Sequence, residues 1–432
     1  MRKYVAALAV LTLATGCGSA SGDEAADEPD VEEVLAQARE ELDRQSPGVT
    51  DDTITVGVTY VDTESIRAVI DLDHGDYEAA YRALFEHVNA NGGIHGRRVE
   101  PIFAPVNPTS STTAQAACSR LTGEGVFVVM GYFQADVLPC YLEDHDTAMI
   151  GGPMTAEQLE RADPPWFSAD AGSDVGAEVI RAYAESGALD GQLGVVAVSA
   201  DEPQLRGEVL PLLDEFGIEP VASGLINDRT DASSSEVSAV VGTSVAEIAD
   251  RFDDAEVDRV LVVGPAGASW AHGAAPTDYR PRLLFTSLGG INAYVSDESS
   301  DVSLLNDAAA GSLYDGEDVA SLPAMRQCLD TQEAAGVVTM PSDDSTGDPG
   351  PLVGPSIACR NVTLFRAIAD SAGPDLTYGA FRRAGEGLGE VTIPGYPDPF
   401  NYGRPPSADG DPVAYLFRWD PAERQFVVQD RR

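Results

Sequence analysis

Lysine occurs once, at Lys3, and the 27 basic residues of this 432-residue chain face 71 acidic ones, a net charge of −44. A surface so poor in cations repels a phosphate backbone, which excludes nucleic acid as a partner. Long apolar runs are missing too. No stretch reaches the roughly 18 residues of a spanning helix, which excludes a multi-span membrane protein. Cysteine is scarce, at 5 residues with no Cys-x-x-Cys spacing, and the 5 histidines are scattered, so no metal site is expected. Two acidic groups do contain histidine, Asp73-His74-Gly75-Asp76 and Glu143-Asp144-His145-Asp146. They read as a solvated loop and a helix end. There is no Gly-x-Ser-x-Gly elbow, no His-Glu-x-x-His, no P-loop and no complete Gly-x-Gly-x-x-Gly after a strand, so neither a cofactor nor catalysis is expected. What is present is apolar material, 43% of residues, enough for two domains with separate cores and too much for a disordered chain.

The first residues read as an export signal. Arg2 and Lys3 precede an apolar run, Tyr4 to Leu13, and then Ala14-Thr15-Gly16-Cys17. The ending on Cys resembles a bacterial lipobox, with Leu13 one place earlier than usual. That implies cleavage before Cys17 and lipidation of its thiol, which anchors the protein on the outer face of the cytoplasmic membrane. Removing Arg2 and Lys3 leaves 25 basic residues against 71 acidic ones, a charge of −46. Residues 18–50 are rich in Asp and Glu and poor in large apolar side chains, so they read as a solvated tether. Outside the cytosol, the remaining Cys118, Cys140, Cys328 and Cys359 suggest disulfides. Three pairings are possible; loop length favours Cys118–Cys140 with Cys328–Cys359.

From Thr53 onward, short apolar strands alternate with amphipathic helices. Strands are predicted at Thr53–Thr59, Val99–Ala104, Val126–Met130 and Ala148–Ile150. A helix between the first two carries Tyr77, Ala80, Tyr81, Leu84, Phe85 and Val88 on one face and stops at Asn91-Gly92-Gly93. Helices are also predicted at Thr113–Leu121 and Asp136–Asp144. The alternation restarts with strands at Leu193–Ser199, Val221–Ile226, Arg259–Val263 and Leu283–Thr286. Helices there are Gly176–Glu185, Glu208–Phe216 and Glu236–Phe252. Pro341–Pro355 reads as an exposed loop, Asn361–Ala369 and Leu376–Ala384 as helices, and Ala414–Trp419 with Gln425–Val428 as a closing hairpin. The fold class is α/β, with parallel sheets covered on both faces and two doubly wound units in preference to one long sheet.

Two segments carry a family resemblance. Phe85 to Val99, with Asn89-Ala90-Asn91-Gly92-Gly93-Ile94-His95-Gly96-Arg97, resembles a segment of type I periplasmic substrate-binding proteins, in the branch that includes branched-chain amino-acid receptors of ABC transporters. Ala408-Asp409-Gly410-Asp411-Pro412 followed by Tyr415-Leu416-Phe417-Arg418-Trp419 resembles that family's closing segment. The resemblance implies two lobes joined by three crossovers, expected near Ala169–Ser173, Leu284–Leu288 and Asp411–Tyr415. Lobe 1 would be residues 51–170 plus 287–411, and lobe 2 residues 171–286 plus 412–432. It implies a monomer that traps a small ligand between the lobes and delivers it to an ABC permease in the membrane. A sensory lipoprotein and a surface hydrolase are the alternative functions.

Ligands of such folds sit at the carboxyl ends of parallel strands. Tyr60 and Asp62 follow the first strand, Tyr132, Phe133 and Gln134 the third, and Met154 and Thr155 the fourth. Asp170 flanks the first crossover, Asp201 follows a strand of the second lobe, and Trp270 lies in the loop begun at Pro265. Receptors of this family usually present a Ser-x-x-Thr-like run after the fourth strand and an Asp-x-x-Tyr-Gly segment in the second lobe. Here these become Gly151-Gly152-Pro153-Met154-Thr155 and Asp201-Glu202-Pro203-Gln204-Leu205. The expected ligand is therefore an amino acid, an amide or an aromatic compound. Tyr132, Phe133, Met154 and Trp270 favour a large apolar or aromatic one.

Overall fold

The computed structural model describes residues 46–66, 73–108, 110–152, 156–169, 176–227, 234–314, 319–339, 350–402 and 413–431. The export segment, Cys17, the tether before Ser46, Met154, Thr155 and Asp170 lie outside them.

Five parallel strands form the first sheet: β1 (Thr53–Val61), β2 (Arg98–Val106), β3 (Val128–Gly131), β4 (Ala148–Ile150) and β5 (Trp166–Phe167), in the order β2-β1-β3-β4-β5. Ile54, Val56 and Val58 are fully buried on alternate positions of β1. On the opposite face a Cβ at Gly57 would lie 3.1 Å from Leu121, so the glycine lets a helix press close.

Helix α1 (Tyr77–Ala90) buries Tyr81, Leu84, Phe85 and Val88 against the first sheet. Asp76 caps its start by accepting the Ala79 N–H at 2.9 Å. Helix α2 (Ser111–Gly123) covers the other face with Ala114, Ala117, Cys118 and Leu121. The segment predicted as one helix over Asp136–Asp144 is a 3-10 turn at Ala135–Val137 and a π turn at Cys140–Asp144. Pro139 stands between them, and its missing N–H and ring clash break the regular ladder.

The second sheet has seven strands in the order β14-β13-β10-β9-β8-β6-β7. They are β6 (Leu193–Val198), β7 (Ala222–Ile226), β8 (Arg259–Val262), β9 (Arg282–Phe285), β10 (Ala309–Ser312), β13 (Tyr415–Asp420) and β14 (Gln425–Arg431). β6 to β10 are parallel, and β13 and β14 close the sheet as an antiparallel hairpin. A small antiparallel pair, β11 (Glu390–Val391) and β12 (Phe400–Asn401), stands apart.

On one face of the second sheet lies α3 (Ala177–Glu185) with α4 (Leu210–Glu215). The other face carries α5 (Ser234–Asp254), α6 (Ala266–Ala274) and α7 (Leu288–Ser296). A π turn at Leu205–Val209 precedes α4, with the Leu210 N–H donating to Leu205 O; Pro211 next to it cannot continue the α ladder. Three further helices, α8 (Pro323–Ala334), α9 (Val353–Ala372) and α10 (Tyr378–Glu386), return to the core of the first sheet.

Each sheet thus has its own pair of buried layers, and Leu313 touches one layer of each. The chain leaves the first sheet after β5, returns to its core through α8, and rejoins the second sheet at β13. The return comes after β10, not at Leu284–Leu288. α7 and β10 extend the second unit beyond that expected boundary because β10 adds to the free edge of β9. Pro265 does not open a loop to Trp270: it precedes α6, which runs from Ala266. The described end of the loop expected at Pro341–Pro355 is helical, with Gly350–Leu352 leading into α9.

Disulfides join Cys118 to Cys140 and Cys328 to Cys359, the pairs favoured on loop length. The first ties α2 to the π turn, the second α8 to α9.

Candidate functional site at the strand ends

All strands of the first sheet run the same way, so their carboxyl ends share one edge. Backbone groups knit this edge together. The Tyr132 N–H donates to Thr59 O at 3.0 Å, Asp62 N–H to Val106 O at 2.8 Å, and Gly151 N–H to Phe167 O at 2.8 Å. Gly131 makes the turn after β3 possible: its φ is +118°, and a Cβ there would lie 2.0 Å from Thr59 O.

Tyr60 lies near the end of β1 and Tyr132 directly after the adjacent β3, each one step beyond the register pair Thr59–Gly131. Both are half-buried. The Tyr60 ring stacks on Tyr77 with centroids 5.6 Å apart, and its hydroxyl donates to Glu78 Oε1 at 2.7 Å. Burial, then the Glu78 hydrogen bond and the charges of Glu78, Asp62 and Asp76, hold the Tyr60 phenol well above its ordinary pKa. Burial does the same to Tyr77, and the nearby Tyr132 adds to it. His74 Nδ1 lies 3.0 Å from the Tyr77 hydroxyl. Tyr60 and Tyr77 are therefore neutral at any physiological pH.

Asp62 begins the loop after β1, where its Oδ1 accepts the Ser65 N–H at 3.2 Å. Gln134 reaches across to the end of β2, donating from Nε2 to Pro108 O at 2.8 Å and to Asn107 O at 3.3 Å. Phe133 turns inward instead, 8% exposed and edge-on to Tyr141 at 5.5 Å. On the second sheet, Asp201 is half-buried in the turn after β6, where Ser199 Oγ donates to Ile226 O at 2.8 Å. Trp270 does not line this edge. It is fully buried in α6, 6.0 Å from Phe252, as part of the second core, because α6 is a packed helix and not a surface loop.

The structure thus brings Tyr60, Asp62, Tyr132 and Gln134 to one edge and adds Tyr77 and His74, which in the sequence belong to a helix face and an acidic loop. Asp76 was the available signal: a cap there sets Tyr77 at the first turn of α1, beside β1. Among the described residues, the one cluster with metal-ligand spacing is Cys118, Cys140 and His145. Its cysteines are joined as a disulfide and offer no thiolate.

Residues 53–206 match the family model described as periplasmic binding protein. No curated protein matches the chain. Solved structures do. A substrate-binding ABC transporter protein from Aeropyrum pernix is 15% identical, with a TM-score of 0.59, over 88% of this chain and 96% of that one. A solute-binding protein from R. palustris, in complex with 4-hydroxybenzoate, is 14% identical, with a TM-score of 0.55, over 88% and 96%. A substrate-binding protein from Desulfitobacterium hafniense, in complex with Leu, is 14% identical, with a TM-score of 0.53, over 88% and 100%. The chain therefore has the fold of the type I periplasmic binding proteins, and its residues 53–206 carry the sequence pattern of periplasmic binding proteins.

Proposed function

We propose that this protein is an exported, lipid-anchored solute receptor that closes two lobes on a small ligand and hands it to an ABC importer. The observation that carries the reading is the pair of sheets, one wholly and one mainly parallel and each with its own core, between which the chain passes back and forth. Such units move as rigid bodies about their connections and enclose a ligand at their strand ends. Residues 53–169 with 319–402 would form the first lobe, and residues 176–312 with 413–431 the second. Cys17 would carry the lipid, holding the receptor on the outer face of the membrane as a monomer.

Tyr60, Asp62, Tyr132 and Gln134 from the first lobe and Asp201 from the second are the proposed ligand contacts. Met154, Thr155 and Asp170 complete the set on sequence grounds. Relatives of this fold hold 4-hydroxybenzoate and Leu, in keeping with an aromatic compound, amide or amino acid here. Trapping without turnover is the expected chemistry.

A thermal-shift screen of the purified protein over amino acids, amides and aromatic compounds tests the reading. A ligand that binds only the native state raises Tm by mass action. A broad library without a single shift contradicts the proposal, as does conversion of any compound by the pure protein. Labelling with a radioactive fatty acid, lost in Cys17→Ser, tests the anchor.

A further inference from the structure

β7 is an outermost strand of the second sheet, and among the described residues no strand pairs with its outer side. Its peptide groups alternate between the two sides. Ile226 O accepts the Ser199 hydroxyl from the β6 side at 2.8 Å, whereas Leu225 O faces Ser244 Oγ of α5 at 3.5 Å. Ser223, two residues before Leu225, therefore turns its N–H and C=O outward, and the Leu225 N–H points the same way. None of these three groups has a partner among the described residues. An open row of this kind is a template for another strand unless a bulge, a proline or a charge blunts it. β7, Ala222-Ser223-Gly224-Leu225-Ile226, has no proline or charge and pairs with β6 without a register shift.

The outer side is also a groove of about 250 Å³, floored by Ser223, Gly224 and Leu225. Leu205 and Arg206 wall one side and Arg251 the other. Arg251 is exposed and makes no ion pair among the described residues, in a chain with 71 acidic side chains. Arg206 meets Glu202 at 2.9 Å, an exposed pair of the kind that contributes little and exchanges readily. Val221, directly before β7, adds an apolar shoulder, 47% exposed.

We propose that the groove beside β7 docks an extended segment of another protein, which adds to the sheet as a further strand and sets carboxylates against Arg206 and Arg251. The main-chain bonds to Ser223 and Leu225 hold the segment, and the two guanidinium groups select its acidic side chains. Glu247 lines the next hollow, past Ile226, so the carboxylates belong opposite Ser223 and not further along. The net charge of −44 opposes the approach of an acidic segment, but screening over about 8 Å at 0.15 M salt leaves the contact pairs to decide. The groove runs along the side of the second sheet, so docking does not depend on a ligand at the strand ends.

The experiment is calorimetric titration of the full chain at 0.15 M salt with three end-blocked synthetic peptides. The first is Thr-Glu-Val-Glu-Val-Glu-Val, the second has Gln for each Glu, and the third is the first N-methylated throughout, which keeps its charge but cannot pair with a strand. The acidic peptide is expected to bind, the Gln peptide about tenfold more weakly, and the methylated one not at all. Arg251→Glu and Ser223→Pro, which removes an outward N–H, should each weaken the acidic peptide about tenfold. Melting curves establish that each variant is folded, and a defect in one leaves the other informative. No binding of the acidic peptide to the wild-type chain would overturn the proposal. Equal binding of the Gln peptide would overturn the charge assignment, and undiminished binding in both variants the placement. Concentration-dependent pairing of the wild-type chain in sedimentation, lost in the same variants, would give the edge to a second copy instead. Each of these results leaves the receptor reading intact.

Discussion

Single residues show how tightly environment sets chemistry. Asp146 sits in the left-handed region, at φ 46°, before β4. Partial burial and the charge of Asp163 push its carboxyl above the usual range, with His145 opposing. A raised carboxyl favours folding while it is protonated, and that contribution is lost as pH rises through its folded-state pKa. Asp146→Asn should therefore raise Tm at pH 7 and lose its advantage in acid below the ordinary aspartate range. Asn also tolerates the backbone there. Melting curves of both forms across pH check this; equal Tm values at pH 7 would refute it. Trp270 is the second case. Its ring is wholly enclosed, and its Nε1 donates to no partner among the described residues. Trp270→Ala should cost about 3–5 kcal/mol by leaving a cavity, whereas Trp270→Phe should cost far less because it removes an unsatisfied donor. Urea unfolding distinguishes the two, and equal losses would contradict the account.

At the scale of elements, the disulfides close loops of 22 and 31 residues. Restricting the unfolded chain over such loops contributes about 3 kcal/mol each. Replacing Cys118 and Cys140 by Ala, or Cys328 and Cys359, should lower the urea midpoint accordingly, and reductant should lower the wild-type midpoint towards that of the variants. An unchanged midpoint would show that the crosslinks only decorate α2 and α9. Which elements could be read from sequence follows from their burial. Leu193–Val198 is buried at every position, and its apolar run announces a central strand. β10 announces nothing: Ala309-Ala310-Gly311-Ser312 has no branched side chain. A Cβ on Gly311 would lie 2.0 Å from Val179, so α3 packs directly on the strand and demands small residues. That hidden strand moved the crossover. α6 was opaque for a related reason. Its Gly273 would place a Cβ 2.4 Å from Val245, so close packing against α5 selects glycine, which reads as loop in sequence. In the candidate site, Tyr60, Asp62, Tyr132 and Gln134 were legible because they follow apolar strands directly. Tyr77 and His74 were not, because only the parallel pairing in space brings the start of α1 beside β1.

For the whole molecule, charge dominates. With 71 acidic side chains against 27 basic ones, the folded form repels itself. Salt shortens the range of that repulsion from about 30 Å at 0.01 M to about 3 Å at 1 M. Tm should rise steadily with sodium chloride over that range, and a falling Tm would show instead that the ion pairs outweigh the net field. Both sheets share that field but not their cores, and the 3 tryptophans are divided between them. Trp166 ends the first sheet, its indole N–H bonded to Gly151 O at 2.8 Å, while Trp270 and Trp419 belong to the second. All three are shielded from water. The native emission should therefore be blue and resistant to iodide quenching. A Trp166→Phe protein would report optically on the second half alone, and the double replacement of Trp270 and Trp419 on the first, giving each half its own colour signal during melting.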